Sequence, residues 1–232
     1  MTDLPDWLAQ HLPALALIAV GWTVRVPLLN SEDGHEAITR GAWEGLGLTG
    51  DQQRALIRGV RAPDLGLGGF LVSGLPFAQR RHALRARSAT TTRRGIEEMR
   101  AFMAGCHARA LAMLDGPRRW ATFGELLHCL QDSYSPAHTD RDGARILRMK
   151  HWGPLRSGPW GAPADEHGFP TDPRDSAWRD GTLTDEALAA VAASRRYLEL
   201  ASGGSGAAFI AFLDSVVPLP EQNPGRLVPG DR

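Results

Sequence analysis

The chain has 232 residues, which suits one domain with a sizeable hydrophobic core. Lysine and arginine together number 26, as do aspartate and glutamate, so the net charge is formally zero and no global field attracts nucleic acid. Two cysteines, Cys106 and Cys129, are too few for a disulfide framework. We expect both to be buried, reduced thiols, which favours a reducing compartment.

The first 30 residues contain an apolar stretch from Leu12 to Trp22. Ala19-Val20-Gly21 resembles a cleavage site, but Asp3 and Asp6 precede it without a lysine or arginine, a pattern unlike that of a signal peptide. The stretch is also too short to cross a bilayer as a helix. We predict a buried N-terminal apolar helix within residues 1–30 and a cytoplasmic location; the alternative is export, with cleavage before Trp22.

Helical spacing dominates the rest of the chain, and strand alternation is rare. Residues 65–76 and 152–183 are rich in glycine or proline and predict loops, and the tail at 218–232 is expected to be loose. The pattern predicts an all-α fold, a single-domain helical bundle over residues 1–232, in which a site would be built between facing helices. The predicted helices are one capped by Asp33, then Asp51–Val60, Thr92–Leu114, Arg119–Ser135, a helix capped by Thr184 that reaches about Ser202, and Gly206–Val216.

The most informative segment runs from His128 to His138 and reads H-C-L-Q-D-S-Y-S-P-A-H. In a helix, His128 and Asp132 project from one face, one turn apart. Pro136 ends that helix, so the chain can return His138 toward the same point. Two imidazoles and a carboxylate that converge form a donor set suited to zinc. A lone His-x-x-x-Asp pair, by contrast, is usually a surface pair or a capped core histidine.

Three segments together resemble the zinc-dependent phospholipase C superfamily, which also includes fungal single-strand nucleases. They are G-H-E-A-I-T-R-G-A from Gly34, A-P-D at Ala62–Asp64, and L-H-C-L-Q-D-S-Y-S-P-A-H from Leu127. The resemblance covers roughly residues 35–175. It implies two to three zinc ions bound by histidines and carboxylates, and in the family also by the free amino end of an N-terminal tryptophan.

Carried over by position, the resemblance implies that Asp64 is the bridging carboxylate and a candidate proton acceptor. The remaining implied metal ligands are His35, His82, His128, Asp132, His138, His167 and Asp172. Asp172 competes with a role as a helix cap before Pro173.

Two parts of the implied site stay open. His151 and Asp175 are the alternatives to His167 and Asp172. Trp22 can supply an amino group only if the chain is cut before it. Without that cut, a two-zinc site is expected, or a three-zinc site with a substitute ligand such as Asp33.

Zinc held by histidine and carboxylate lowers the pKa of bound water toward neutrality, which suits attack on a phosphate ester. The implied activity is therefore a phospholipase C-like phosphodiesterase that needs no serine or cysteine nucleophile. Arginines crowd around His82, and guanidinium groups make paired bonds to phosphate. The candidate substrate contacts are Arg80, Arg81 and Arg85, with a solvated surface as the alternative.

The expected partner is a phospholipid or another phosphodiester, with transient contact to a membrane surface and no stable nucleic-acid partner. A single-strand nuclease of the same fold is the alternative; it would need aromatic platforms for bases, for which Trp152, Trp160 and Phe169 are candidates. A structural zinc in an interaction module is the alternative of another class, but such sites are usually rich in cysteine. His107 has no acid or histidine at ligand spacing, and we predict that it packs or lies at the surface.

Overall fold

The computed structural model describes residues 34–64, 79–85, 91–152, 166–167, 174, 176–201 and 205–220, with the backbone alone at 152 and 166–167. All of these residues belong to one compact unit, Asp33–Arg232. The described part of the chain is mostly helical, which agrees with the helical part of the prediction, but short strands make it not all-α. Its α-helices are α1 (Gly34–Trp43), α2 (Gly50–Arg61), α3 (Thr92–Ala112), α4 (Pro117–Asp132), α5 (Asp185–Ala201) and α6 (Gly206–Val216), with a 3-10 helix at Arg80–His82.

Side-chain caps fix where several helices begin. Thr49 and Gln52 form a reciprocal capping box at α2, and the Thr91 hydroxyl accepts a hydrogen bond from an amide in the first turn of α3. The predicted cap at Thr184 is confirmed, since its hydroxyl accepts from the Ala187 amide at 3.2 Å. The predicted cap at Asp33, the helix within residues 1–30 and the loop at 65–76 lie outside the described residues.

Three two-stranded sheets were not predicted. β1 (Thr139–Asp142) and β2 (Arg145–Met149) form an antiparallel hairpin, β3 (His151–Trp152) pairs in parallel with β4 (Glu166–His167), and β5 (Trp178–Arg179) pairs with β6 (Thr182–Leu183). The strands are too short and too exposed to give a clear alternation. Two Asp-Gly pairs did mark the turns: Gly143 has φ +57°, and Asp180 and Gly181 both have positive φ, as a type I′ turn requires.

The central helix of the described core is α4, which packs against α2, α3 and α5. Its contact with α2 is unusually close. A Cβ added to Gly59 would lie 1.9 Å from the Ala121 carbonyl oxygen, and one added to Gly124 would lie 2.4 Å from the Leu56 carbonyl oxygen. The two glycines therefore let the backbones of α2 and α4 touch. None of the described helices has the length and apolar character needed to cross a membrane.

Candidate metal centre

The last turn of α4 carries the predicted histidine and aspartate into the protein interior. His128 Nε2 lies 3.0 Å from Asp132 Oδ2, and both side chains are almost fully buried. Because α4 is surrounded by other helices, these polar groups face protein rather than solvent. Their partners therefore come from neighbouring elements.

Helix α1 and the 3-10 helix each add an imidazole. His35, in the first turn of α1, places Nε2 3.1 Å from Asp132 Oδ1. His82 places Nδ1 2.9 Å from His128 Nε2 and 3.3 Å from Asp132 Oδ2. The turn that holds His82 is closed by Ala83 in the left-handed region and by a 3.0 Å bond from the Leu84 amide to the Gln79 carbonyl.

The turn after α2 adds a second carboxylate. Asp64 Oδ1 lies 3.6 Å from His82 Nδ1, and its Oδ2 lies 3.8 Å from His128 Nδ1. An ion pair between Arg61 and the buried Glu36 joins the end of α2 to α1, which brings this turn close to His35. Two groups of side chains are thus close enough to hold a metal ion: His35 with His128 and Asp132, and Asp64 with His82 and His128.

His138 also returns to this cluster after the turn at Pro136. Its Nδ1 lies 3.8 Å from Asp132 Oδ2 and contacts the His82 carbonyl oxygen. If Nδ1 donates to that carbonyl, the lone pair of the neutral ring is on Nε2.

Outer hydrogen bonds determine which nitrogen of the His128 and His35 rings faces Asp132. His128 Nδ1 donates to the Val60 carbonyl at 2.8 Å, a contact that the close approach of α2 and α4 permits. His35 Nδ1 lies 2.9 Å from Gln131 Oε1, and the Gln131 amide nitrogen donates to the Thr39 hydroxyl at 2.9 Å. Both rings therefore direct Nε2 toward Asp132, the arrangement that metal-binding histidines usually have.

Gln131 is a functional residue that the sequence analysis missed. It is buried, and beside its bonds to His35 and Thr39 it reaches the Ser194 hydroxyl on α5 at 3.4 Å. Its place between His128 and Asp132 in the motif was visible in the sequence, but its partners lie 92 and 96 residues away.

The ionisation of the cluster suits a cation. Burial would raise the pKa of Asp132, but the surrounding His128, His138 and His35 outweigh burial and hold the pKa well below its usual range. Burial lowers the pKa of His82, as does the charge of His128, against the attraction of Asp132. An ionised Asp132 beside a neutral His82 is the protonation state in which these two groups bind metal.

The donor atoms fit zinc in their chemistry, since they are imidazole nitrogens and carboxylate oxygens. The contacts of Asp132 with His35, His82 and His128 span 3.0–3.3 Å, at or slightly below the about 3.3–3.6 Å that separates the ligand atoms of a tetrahedral zinc. Asp132 Oδ2 is buried and has no well-aligned hydrogen-bond donor among the described residues, so it is available to a cation.

The two cysteine thiols make their hydrogen bonds with groups outside this cluster. Cys129 Sγ donates to the Arg80 carbonyl at 3.1 Å, and burial holds the pKa of this thiol well above its usual value. Cys106 Sγ accepts from Arg109 at 3.2 Å, and burial raises its pKa too. Neither thiol is poised to act as a thiolate ligand, so the candidate centre consists of histidine and carboxylate groups.

The cluster is more open on one side. The exposed fraction of the side chain is 37% for Asp64, 19% for His35 and 13% for His82, whereas His128 is fully buried. Among these residues, Asp64 is the one most exposed to solvent.

The predicted arginine contacts differ in their surroundings. Arg80 is exposed, Arg81 lies 3.8 Å from Glu125, and the Arg85 side chain donates to the Met149 carbonyl at 2.8 Å. Arg85 thus helps to hold strand β2, and its role in substrate binding stays a prediction, as do those of the other two.

The remaining predicted residues cannot be placed in the centre. The backbone of His167 lies in β4, paired with that of Trp152 in β3, next to His151. Outside the described residues lie Asp172 and its alternative Asp175, the candidate tryptophan ligand Trp22, and the aromatic residues Trp160 and Phe169.

Comparison with protein-family models, with curated proteins and with solved structures gives no match. The resemblance to the zinc-dependent phospholipase C superfamily therefore stays a prediction from the motifs. The geometry and donor chemistry of the centre carry the functional argument.

Proposed function

We propose that this protein is a zinc-dependent hydrolase of phosphate esters, and specifically a phospholipase C-like phosphodiesterase. The observation that supports it most strongly is the buried carboxylate of Asp132, ringed by imidazoles of which His35 and His128 have Nδ1 engaged in an outer hydrogen bond. A buried ion pair needs no such convergence of imidazoles on one carboxylate, whereas a metal site does.

The residues of the centre have distinct roles in this proposal. Bound zinc supplies Lewis acidity and activates water for attack on a phosphate ester. The imidazoles and Asp132 hold the metal, and Val60 and Gln131 keep two of the rings in the required tautomer. Asp64, the most exposed acid of the cluster, accepts the proton of the attacking water on a carboxylate oxygen.

The substrate preference rests on charge and on the motifs. The chain has no net charge to attract a polyanion, and Arg80, in the 3-10 helix that holds His82, is exposed and available to a phosphate. We therefore propose that a phospholipid-like diester is cleaved in preference to single-stranded nucleic acid, during transient contact with a membrane surface.

The deciding experiment compares turnover of a short-chain phospholipid with that of single-stranded DNA at equal zinc and salt. We expect faster cleavage of the phospholipid, loss of activity with a chelator, and recovery on addition of zinc. Faster cleavage of the DNA would reject the phospholipase assignment and favour a nuclease.

Asp64→Asn is the matched variant for the hydrolytic role. It should retain most of the bound zinc but lose turnover, because the proton acceptor is removed while the inner ligands stay. Wild-type protein that holds its full zinc content but cleaves no phosphodiester would show that the metal is structural.

A further inference from the structure

We propose that one face of the protein docks on the surface of an anionic phospholipid bilayer, with Leu114 entering the lipid and four arginines contacting lipid phosphates. This inference rests on the proposed action on phospholipids and names the surface that would make the membrane contact. We call this surface the docking face, and its arginines are Arg80, Arg81, Arg109 and Arg118.

The tip of the docking face is the loop between α3 and α4. Helix α3 ends at Ala112, and α4 begins at Pro117. Between them, the exposed fraction is 93% for Leu114 and 36% for Met113. The value for Leu114 is the largest among the large hydrophobic side chains that the structure describes. A leucine held in water gains free energy when it enters an apolar phase, so this tip suits insertion into a bilayer.

Two side-chain contacts hold the loop against the body of the protein. The Trp120 indole nitrogen donates to the Asp115 carboxylate at 2.8 Å, and the Thr122 hydroxyl donates to the Met113 sulfur at 3.8 Å. The loop is therefore anchored on either side of Leu114, while the leucine side chain itself stays in solvent.

Arginines line the docking face from the tip toward the metal centre. Arg81 and Arg109 each place a guanidinium nitrogen 3.8 Å from the same oxygen of Glu125, so the 3-10 helix and α3 present them on one side of α4. Their side chains are 38% and 54% exposed. Arg118 is also exposed and lies two turns before Glu125 on the same face of α4.

The 3-10 helix connects this face to the metal centre. Arg80 is exposed, and its carbonyl oxygen accepts from the Cys129 thiol on α4 at 3.1 Å. His82 belongs to the same 3-10 helix. A protein that lies with α4 along the bilayer would therefore hold His82 at the level of the lipid headgroups.

The charge and the apolar tip together favour a bilayer over a nucleic acid. On this face, four arginines stand against two acids, Glu125 and Asp115. Guanidinium groups pair with phosphates, and basic groups are attracted to an anionic leaflet. A single-stranded nucleic acid would need exposed aromatic platforms for its bases, whereas the tip presents a leucine and a methionine.

Co-sedimentation of the zinc-loaded chain with lipid vesicles tests the docking face without any turnover. The Asp64→Asn background keeps the lipid intact. We expect tight binding to vesicles of phosphatidylcholine and phosphatidylserine in equal parts, and at least about tenfold weaker binding to phosphatidylcholine alone. Arg109→Gln with Arg118→Gln should weaken binding to the anionic vesicles about 25-fold, since each arginine near the leaflet contributes about fivefold. Leu114→Ser should weaken it about tenfold.

Matched variants elsewhere in the chain serve as controls. Arg54→Gln with Arg195→Gln removes two solvent-accessible arginines from α2 and α5, and Leu188→Ser removes a half-exposed leucine from α5. These changes should leave the affinity for anionic vesicles nearly unchanged. Circular dichroism checks that each variant folds.

Absence of binding to the anionic vesicles, or an equal loss in the control variants, would overturn the docking face. Tighter binding of single-stranded DNA than of vesicles, unaffected by Leu114→Ser, would assign the face to nucleic acid and overturn the bilayer. Cleavage of a soluble short-chain phospholipid by wild type, without vesicle binding, would reject the docking face and leave the hydrolase standing. Vesicle binding with the predicted losses, but without turnover of any phosphodiester by wild type, would retain the face and reject the hydrolase.

Discussion

Two buried histidines, His128 on α4 and His107 on α3, occupy opposite chemical surroundings. His107 stacks on the Phe209 ring, with centroids 4.1 Å apart and an interplanar angle of 12°, and its Nδ1 lies 3.4 Å from the Tyr197 hydroxyl. His128 lies between a backbone carbonyl, another imidazole and Asp132. Burial of a histidine therefore does not identify a metal ligand. In our proposal, His128 is distinguished as a ligand by Asp132 at its Nε2 and by the Val60 carbonyl at its Nδ1.

The difference between the two histidines is tested most directly by Asp132→Asn, with His107→Ala as its control. Asp132→Asn should abolish hydrolysis and weaken zinc binding more than about 100-fold, because losing even an outer partner costs about 10- to 100-fold. His107→Ala should leave the zinc content unchanged and destabilise the protein by about 2–5 kcal/mol, as expected for truncation in a core. Elemental analysis and thermal unfolding measure both effects. Equal loss of zinc in the two variants would show that the choice of histidines is wrong.

The outer hydrogen bond of His35 is tested by Gln131→Leu. This change removes the acceptor of His35 Nδ1, so we expect zinc binding to weaken by about 10- to 100-fold. Gln131→Glu keeps the acceptor oxygen and should recover part of the affinity. Ser194→Ala removes only the longer, 3.4 Å contact of Gln131 and serves as the control. A competition titration against a zinc chelator measures all three, and unchanged affinity in Gln131→Leu would remove this residue from the site.

The close contact of α2 and α4 is tested by Gly59→Ala. The added Cβ would collide with the Ala121 carbonyl and push Val60 away from His128. We expect a loss of about 1–3 kcal/mol in the free energy of unfolding, with weaker zinc binding. Gly105→Ala is the control, since the nearest atom to its Cβ is an arginine side-chain nitrogen at 3.6 Å. Urea unfolding that finds both variants equally stable would contradict the close-contact interpretation.

The smallest effect that we expect is a pH dependence of the stability of the metal-free protein. Burial lowers the pKa of His107, as does Arg119, and burial lowers the pKa of His82, both from an ordinary value of 6.5. The folded state thus binds these protons more weakly than the unfolded state, so stability is full above about pH 6.5 and falls as the pH drops below it. Thermal unfolding of the chelated protein between pH 7.5 and 5.5 should show this loss, and His107→Leu should reduce it. A melting temperature that rises toward pH 5.5 would contradict the assignment.

Much of the helical framework was predictable because its signals are local. Caps such as Thr184 and the one-turn spacing of His128 and Asp132 depend only on residues near each other in the chain. The hairpin at Thr139–Met149 was missed because few of its side chains are buried, although the Asp-Gly pair at its turn was a usable signal.

The centre itself was predictable only in part. The sequence placed His35, Asp64 and His82 through a resemblance of motifs, since nothing local relates residues on three separate elements. The hydrogen bond of His128 to Val60 could not be predicted, because a backbone carbonyl has no sequence signature. The hydrogen bond of His35 to Gln131 could not be predicted either, because a buried glutamine can have many roles. Which partner each Asp132 oxygen contacts depends on side-chain torsion angles, so it could be read only from the structure.

The most direct test of the metal centre is anomalous diffraction at the zinc absorption edge from crystals of zinc-repleted protein. We predict peaks about 2.0–2.2 Å from Nε2 of His35, Nδ1 of His82, Nε2 of His128 and the Asp132 carboxylate. The absence of any peak at these residues after repletion, or a zinc ion bound at the cysteines instead, would contradict the account.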